Sequence, residues 1–157
     1  MDKKIYNLPD LLTALLDKRP NNRIILTNGC FDILHVGHIE CLAGAKELGD
    51  ILIVGINSDK SLSSLKKREP IFTHEHRMEI LAALGCVDYV FTFNELSFEK
   101  YITLIKPDIY VKGPDYTGKV TPESLLAQKL DIKYELVGKT KKQSTSNLID
   151  FISKSNI

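Results

Sequence analysis

The stretch NGCFDILHVGHIECL, residues 28–42, connects a strand-like segment to a helix-like one. A short apolar run precedes it and ends in a turn signal at Gly29, and apolar residues at helical spacing follow it. At the junction, His35 and His38 lie three residues apart with Gly37 between them. The stretch therefore predicts a strand, a glycine-containing turn and a helix that begins with two histidines.

Strand and helix signals alternate along the rest of the chain. Strands are predicted at 23–27, 50–57, 88–93, 108–113 and 132–137, and helices at 9–18, 39–49, 58–67, 73–85, 97–106, 121–130 and 144–155. This alternation predicts an α/β protein with a Rossmann-like, open, mostly parallel five-stranded sheet and helices on both faces. The length of 157 residues fits a single domain, with residues 1–22 as a helical extension and 23–153 as its core.

Composition excludes several classes of protein. Hydrophobic residues make up 43% and charged residues 26%, which excludes intrinsic disorder, and the net charge of +1 predicts no general attraction to nucleic acids or membranes. No segment approaches the roughly 18 apolar residues of a membrane span, and the N-terminus lacks a signal-peptide pattern. Three cysteines without Cys-x-x-Cys spacing favour neither a disulfide framework nor a zinc site, and we expect a cytoplasmic protein.

Unusual polar residues follow the predicted strands. They occupy residues 28–38 after the first strand, 57–59 after the second, 112–116 after the fourth and 139–146 after the fifth. Ligands of open parallel sheets bind beyond the carboxyl ends of the strands, where the strand order reverses. We therefore expect one ligand site at this edge of the sheet.

The first turn favours phosphate binding. The P-loop pattern is absent, and no G-x-G-x-x-G follows the first strand, which argues against a nicotinamide-dependent oxidoreductase. Gly29 permits a sharp turn, and Gly37 lets a phosphate approach the positively polarised helix N-terminus. His35 and His38 can project to one side of the first helical turn and donate hydrogen bonds to phosphoryl oxygens. The alternative is that one histidine caps the helix while the other packs in the core.

The sequence resembles the cytidylyltransferase-like nucleotidyltransferases. Residues 35–38 match the H-x-G-H motif of that superfamily, within the longer match TNGCFDILHVGH. The resemblance continues through AKELGD (45–50), HEHR (74–77), VDYV (87–90) and STS (144–146). It implies a nucleotidyltransferase domain in which a phosphate monoester attacks the α-phosphorus of a nucleoside triphosphate and pyrophosphate leaves. Mg²⁺ bound mainly through the nucleotide phosphates, and a homodimer, are also implied.

The resemblance implies roles for individual residues. The catalytic residues would be His35, His38, Lys46 and Arg77. Nucleotide-binding residues would be Asn28, Gly29, Cys30, Phe31, Gly37, Lys112, Ser144 and Thr145, and sugar-phosphate-binding residues would be Asp32, Asn57 and Asp115.

Several of these residues have a second interpretation. Lys46 can be a solvated lysine and Arg77 a member of a surface ion pair. Asp32 favours loop organisation, because an anion beside phosphates is costly, and Ser144 would cap the last helix in any case. No metal site is predicted on the protein, because His74 and His76 at i and i+2 do not share a helix face.

The motif details are most similar to heptose 1-phosphate adenylyltransferases. TNGCFD and the run VKGPDY (111–116) carry this likeness. The alternative is a glycerol-3-phosphate cytidylyltransferase using CTP, and a non-catalytic nucleotide-binding module is a third possibility. Three features depart from the heptose pattern: Arg68 is displaced by one residue, HEHR (74–77) is nearer the cytidylyltransferase form, and Lys-Lys-Gln (141–143) replaces an acidic-Gly-Cys segment. The lysines at 139, 141 and 142 also depart from the cytidylyltransferase pattern, which has an arginine there. The partners predicted are thus ATP or CTP and a phosphorylated sugar or polyol, with neither the base nor the sugar determined.

Overall fold

A computed structural model describes residues 3–139 and 144–155 of the chain. The strands are β1 (Ile24–Gly29), β2 (Ile51–Asn57), β3 (Tyr89–Phe93), β4 (Ile109–Lys112) and β5 (Lys133–Leu136). The helices are α1 (Leu8–Leu16), α2 (Val36–Lys46), α3 (Asp59–Lys66), α4 (His74–Ala82), α5 (Glu99–Ile105), α6 (Pro122–Lys129) and α7 (Thr145–Lys154). Short 3₁₀ turns at Arg19–Asn21 and Pro114–Tyr116 were not predicted.

The five strands form one parallel sheet in the order β3-β2-β1-β4-β5. The apolar run of β2 is buried at every position, because the strand lies inside the sheet with helices on both faces. In contrast, β5 is an edge strand and exposes its two ends, Lys133 and Leu136. The predicted Rossmann-like class is confirmed, and the sheet is parallel throughout.

Helices cover both faces of the sheet. On one face, α1 inserts Leu11 and Leu15 into a core that it shares with α5 and α6. On the other face, α2 contributes Leu42 and α4 contributes Leu81 to a second core. Each fully buried leucine contributes about 1.5–3 kcal/mol to folding. The N-terminal helix is thus packed on the same sheet as the rest of the fold.

Helix starts follow the capping residues predicted from the sequence. Thr73 accepts a hydrogen bond from the His76 amide at the start of α4, and Thr121 does the same for Ser124 at the start of α6, where Pro122 is the first helical residue. The prediction for the end of α4 was less accurate, since the helix ends at Ala82 and not near Gly85.

The strand order determines where a ligand can bind. β1 lies between β2 and β4, so the connections leaving β1 and β4 diverge to opposite faces of the sheet. The divergence leaves a crevice above the carboxyl ends of β1 and β4. No helix within residues 3–139 and 144–155 is long and apolar enough to cross a membrane.

Candidate active site

The crevice is a cleft of about 440 Å³, a volume typical of small-ligand sites. Its lining contains every predicted site residue except Lys46 and Arg77. Those lining residues are Asn28, Gly29, Cys30, Phe31, Asp32, His35, Gly37, His38, Asn57, Lys112, Asp115, Ser144 and Thr145. The chain thus brings together residues from four separate segments, as expected for the carboxyl edge of a parallel sheet.

The two histidines form one unit at the N-terminus of α2. Their rings stack with centroids 3.8 Å apart at an angle of 24°. His35 is the N-cap, and its Nδ1 accepts a hydrogen bond from the Gly37 amide at 3.2 Å. His38 Nδ1 accepts one from the His35 amide at 3.4 Å. The sequence predicted that His35 either caps the helix or belongs to the ligand site. In the structure it caps α2 and also lines the cleft.

These bonds determine the tautomer of the neutral rings. Because Nδ1 accepts in both His35 and His38, the proton of each neutral ring lies on Nε2. Each ring then has an Nε2–H donor on the side opposite the helix backbone. Gly37 contributes by its lack of a side chain, since a Cβ there would lie only 3.1 Å from the His35 ring. The motif thus supplies two parallel donors next to a helix N-terminus.

Lys112 brings a buried cation to the cleft from β4. Its Nζ donates to the Asn28 carbonyl at 3.0 Å and to Asn28 Oδ1 at 3.3 Å, and it lies 4.4 Å from the centre of the Tyr116 ring. Burial lowers the pKa of Lys112 to about 8. A phosphate group in the cleft would favour the charged form of this lysine.

Tyr110, two residues before Lys112 on β4, lines the cleft but was not predicted as a site residue. Tyr110 donates from its hydroxyl to Asn28 Oδ1 at 2.6 Å. The sequence contained a signal for Tyr110: residues two apart on a strand lie on the same face, so Tyr110 shares a face of β4 with the predicted site residue Lys112. Cys41 and Glu123 also line the cleft without having been predicted, and no pattern in the sequence points to them.

Asp32 organises the loop after β1. Its side chain is only 2% exposed, and its oxygens accept hydrogen bonds from the amides of Ile71 and Phe72 and from Arg68 at 2.6 Å. These contacts agree with the loop role expected from electrostatics, and the sugar-phosphate role of Asp32 stays a prediction. The same contact brings Arg68 to the lining of the cleft.

Arg77 lies beneath the cleft rather than in it. Its guanidinium is completely buried and donates to the carbonyl of Phe72 at 3.0 Å, to that of Cys30 at 2.7 Å and to Asp59 Oδ1 at 2.8 Å. Burial by itself raises the pKa of Asp59, but hydrogen bonds from Arg77 and His74 outweigh it and leave that pKa lowered. Arg77 therefore does not line the cleft, and its catalytic role stays a prediction. The alternative of a surface pair with Glu75 or Glu79 is wrong, because the guanidinium is buried and pairs with Asp59.

Lys46 lies at the opposite end of α2 from the histidines. Eight residues of helix separate it from His38, a rise of about 12 Å. Its Nζ pairs with Asp88 Oδ2 at 2.7 Å and also donates to the Asp50 carbonyl, near the amino ends of the strands. Lys46 therefore does not line the cleft, because the helix carries it to the other end of the sheet, and its catalytic role stays a prediction.

The start of α7 closes one side of the cleft. Ser144 caps the helix by accepting a hydrogen bond from the Asn147 amide at 3.1 Å, and Thr145 donates to the Ile33 carbonyl at 3.0 Å. The predicted cap is confirmed, and the amides of this helix turn face a site lined by both side chains. Lys139 lies 3.9 Å from Glu40, whereas Lys141 and Lys142 lie outside the described residues.

Asn57 and the cleft thiols are held by internal contacts. The Asn57 amide donates to Ser61 at 2.8 Å, and its oxygen lies 3.5 Å from Cys30 Sγ. Burial raises the pKa of Cys30, and it raises the pKa of Cys41 to about 11. Both thiols therefore stay protonated at neutral pH and provide no thiolate nucleophile.

One group of potential metal ligands occurs within residues 3–139 and 144–155. The ligand atoms of Asp59, His74 and Glu75 lie within 4.8 Å of one another. They sit at the N-termini of α3 and α4, whose partial positive charge disfavours a cation, and Arg77 adds a full positive charge at 2.8 Å from Asp59. The absence of a protein-bound metal stays a prediction.

Comparison with known proteins agrees with this geometry. The sequence profile of the family described as Cytidylyltransferase-like matches residues 26–155, which include every residue that lines the cleft. The chain belongs to the cytidylyltransferase-like family. The H-x-G-H resemblance is thereby confirmed, and the stacked histidines at the head of α2 are this chain's form of the family motif.

Curated relatives extend the comparison. The chain is 42% identical over 158 residues to the bifunctional protein HldE of Helicobacter hepaticus, covering all of this chain and 32% of that protein. It is 45% identical over 154 residues to HldE of Helicobacter pylori, covering 98% of this chain and 32% of the relative. The chain thus spans about a third of the length of these relatives.

A solved structure shares the fold. The lipopolysaccharide core biosynthesis protein of Thermoplasma volcanium aligns with a TM-score of 0.65 and 31% identity, covering 77% of this chain and all of the other.

Proposed function

We propose that this chain catalyses nucleotidyl transfer from ATP to a heptose 1-phosphate, releasing pyrophosphate. Membership of the cytidylyltransferase-like family supports the reaction class. The similarity to HldE proteins and the sequence features TNGCFD and VKGPDY favour the adenylyltransferase over the cytidylyltransferase. The observation that carries the proposal is the pair of histidines oriented at the N-terminus of α2, in a cleft that Lys112 also lines.

The chemistry needs no covalent nucleophile from the protein. A phosphate oxygen of the sugar 1-phosphate attacks the α-phosphorus of ATP, the bond from that phosphorus to the bridging oxygen breaks, and pyrophosphate carries away the electron pair. Negative charge accumulates on phosphoryl oxygens, where donors already in place stabilise it most. His35 and His38 donate to the α-phosphate, while Lys112 and the N-terminus of α7 neutralise the remaining phosphates.

The cleft also fits a metal that arrives with the nucleotide. Mg²⁺ prefers oxygen ligands and is held by phosphates with one or two carboxylates. Besides Asp32, whose oxygens accept from three donors, the cleft is lined by the carboxylates of Asp115 and Glu123, which would be within reach of an ion held by the phosphates. When bound, Mg²⁺ would neutralise phosphate charge. A homodimer and the absence of nucleic-acid partners stay predictions.

Replacement of His38 by alanine tests the proposal. Pyrophosphate release should be measured with four nucleoside triphosphates against sugar 1-phosphates and polyol phosphates. We expect turnover with ATP and heptose 1-phosphate, reduced about 10²–10³-fold by His38→Ala because one transition-state donor is lost. The matched control is His76→Ala, which removes an exposed histidine of α4 and should leave the rate unchanged.

Three outcomes would contradict the proposal. Full activity of His38→Ala would exclude the paired donors as the catalytic element. Turnover with CTP and glycerol 3-phosphate but not with ATP would assign the chain to the cytidylyltransferase alternative. Nucleotide binding without turnover on any acceptor would make the domain a binding module.

A further inference from the structure

Tyr110 is a buried tyrosine whose hydroxyl ends at the cleft. Its side chain is 1% exposed and packs between the rings of Phe98 and Tyr134, with centroids at 6.2 and 5.8 Å. Burial raises the pKa of Tyr110, so the hydroxyl keeps its proton and acts as a donor. The acceptor is Asn28 Oδ1 at 2.6 Å, on the neighbouring strand β1.

The contacts of Asn28 determine which way its amide faces. Lys112 Nζ lies 3.3 Å from the same Oδ1, and an ammonium group can only donate. Two donors thus converge on one end of the amide, and the NH₂ group must lie at the other end. Within the described part of the chain, Asn28 contacts these two side chains through its oxygen, while the residue itself lines the cleft.

We infer that Tyr110 is a positioning residue for nucleotidyl transfer: its hydroxyl holds the Asn28 amide so that the oxygen faces Lys112 and the NH₂ group is offered to a phosphate in the cleft. The inference rests on the proposed function and extends it to a residue that acts through the side chain of Asn28. Without the hydroxyl, a half-turn of the amide would place NH₂ beside the ammonium and the oxygen beside the phosphate. In that orientation the NH₂ group would repel the Lys112 ammonium, and the amide oxygen would repel the phosphate. The orientation that Tyr110 holds is therefore the productive one.

A double-mutant cycle tests this coupling. The variants are Tyr110→Phe, Asn28→Ala and the double replacement, each compared with the unchanged chain after thermal unfolding has shown that it folds. Phenylalanine keeps the buried ring and removes only the hydroxyl. The matched control is Tyr134→Phe, which removes a neighbouring hydroxyl that has no hydrogen-bond partner among residues 3–139 and 144–155. The readouts are kcat and KM for ATP and calorimetric affinity for Mg·ATP and Mg·CTP.

We expect Tyr110→Phe to lower kcat about three- to tenfold, the usual range for one lost hydrogen bond, with Tyr134→Phe unchanged. In the Asn28→Ala background, the same replacement should change kcat by less than about twofold, because the group it positions is gone. Equal effects in both backgrounds would overturn the inference while leaving the proposed function intact.

The cycle remains informative if the proposed reaction fails. If no acceptor gives turnover, the proposed function is refuted. The affinities of the same four proteins for Mg·ATP and Mg·CTP then replace kcat as the measured quantity of the cycle. Loss of affinity in Tyr110→Phe that disappears in the Asn28→Ala background would then support the positioning role alone. Additive effects on affinity, or failure of both nucleotides to bind the unchanged chain, would overturn it.

Discussion

Replacement of Arg77 by methionine separates a structural role from a catalytic one. Methionine retains an apolar stem of similar length but has no donors. The carbonyls of Cys30 and Phe72 and the Asp59 carboxylate would each lose a hydrogen bond from a guanidinium that is completely buried in the native chain. We expect a less stable protein whose folded fraction still turns over.

The magnitude follows from the exposure of the three acceptors. The two carbonyls are partly buried, and loss of a donor costs about 1 kcal/mol for each. Asp59 is 34% exposed, so water replaces much of the lost partner and this contribution stays at or below about 1 kcal/mol. The free energy of unfolding should therefore fall by about 2–3 kcal/mol, which lowers Tm by roughly 4–12 °C in a domain of this size.

Thermal unfolding and pyrophosphate release would be measured on the same preparations. Turnover per folded molecule should fall less than about tenfold, well short of the 10²–10³-fold cost of a lost transition-state donor. The control is Arg23→Met, an exposed arginine at the start of β1, for which we expect a change within about 0.5 kcal/mol. A variant with unchanged Tm and a thousandfold loss of kcat would refute this account of Arg77.

Two further predictions concern the cationic residues Lys112 and Lys46. Because burial brings the pKa of Lys112 to about 8, and the charged form exists below that pKa, kcat/KM should fall as the pH rises above about 8. Lys112→Arg should remove this alkaline limb, since arginine stays charged; an identical limb in both proteins would contradict the assignment. Lys46→Met should leave kcat within about twofold and cost at most about 1 kcal/mol by denaturant unfolding, because its pair with Asp88 is roughly one-third exposed. A hundredfold loss of kcat in that variant would restore Lys46 as a catalytic residue.

Local patterns were sufficient for the elements of the fold. The apolar run of β2 predicted a strand covered on both faces, because such a strand needs apolar side chains on either side of the sheet. Thr73, Thr121 and Ser144 predicted helix starts, because N-cap hydrogen bonds join residues two or three positions apart. The end of α4 was less predictable, since helix ends depend on packing as well as on glycine.

Part of the candidate site could likewise be predicted from the sequence. The spacing of His35, Gly37 and His38 was enough to predict a histidine pair at a helix N-terminus, because the two hydrogen bonds that orient the rings come from amides of the same helical turn. The carboxyl ends of parallel strands lie at one edge, so Asn28 and Lys112 could also be assigned to the cleft from the sequence.

The direction of long side chains required the tertiary structure. Lys46 pairs with a residue 42 positions away, Arg77 with a carbonyl 47 positions away and Tyr110 with an amide 82 positions away. The sequence by itself determined the parallel sheet, the helix starts and the histidine pair, since these arise from apolar periodicity and short-range hydrogen bonds. Only the tertiary structure decided which cations line the cleft and which pair elsewhere, because a flexible side chain takes its partner from whichever segment the fold packs beside it.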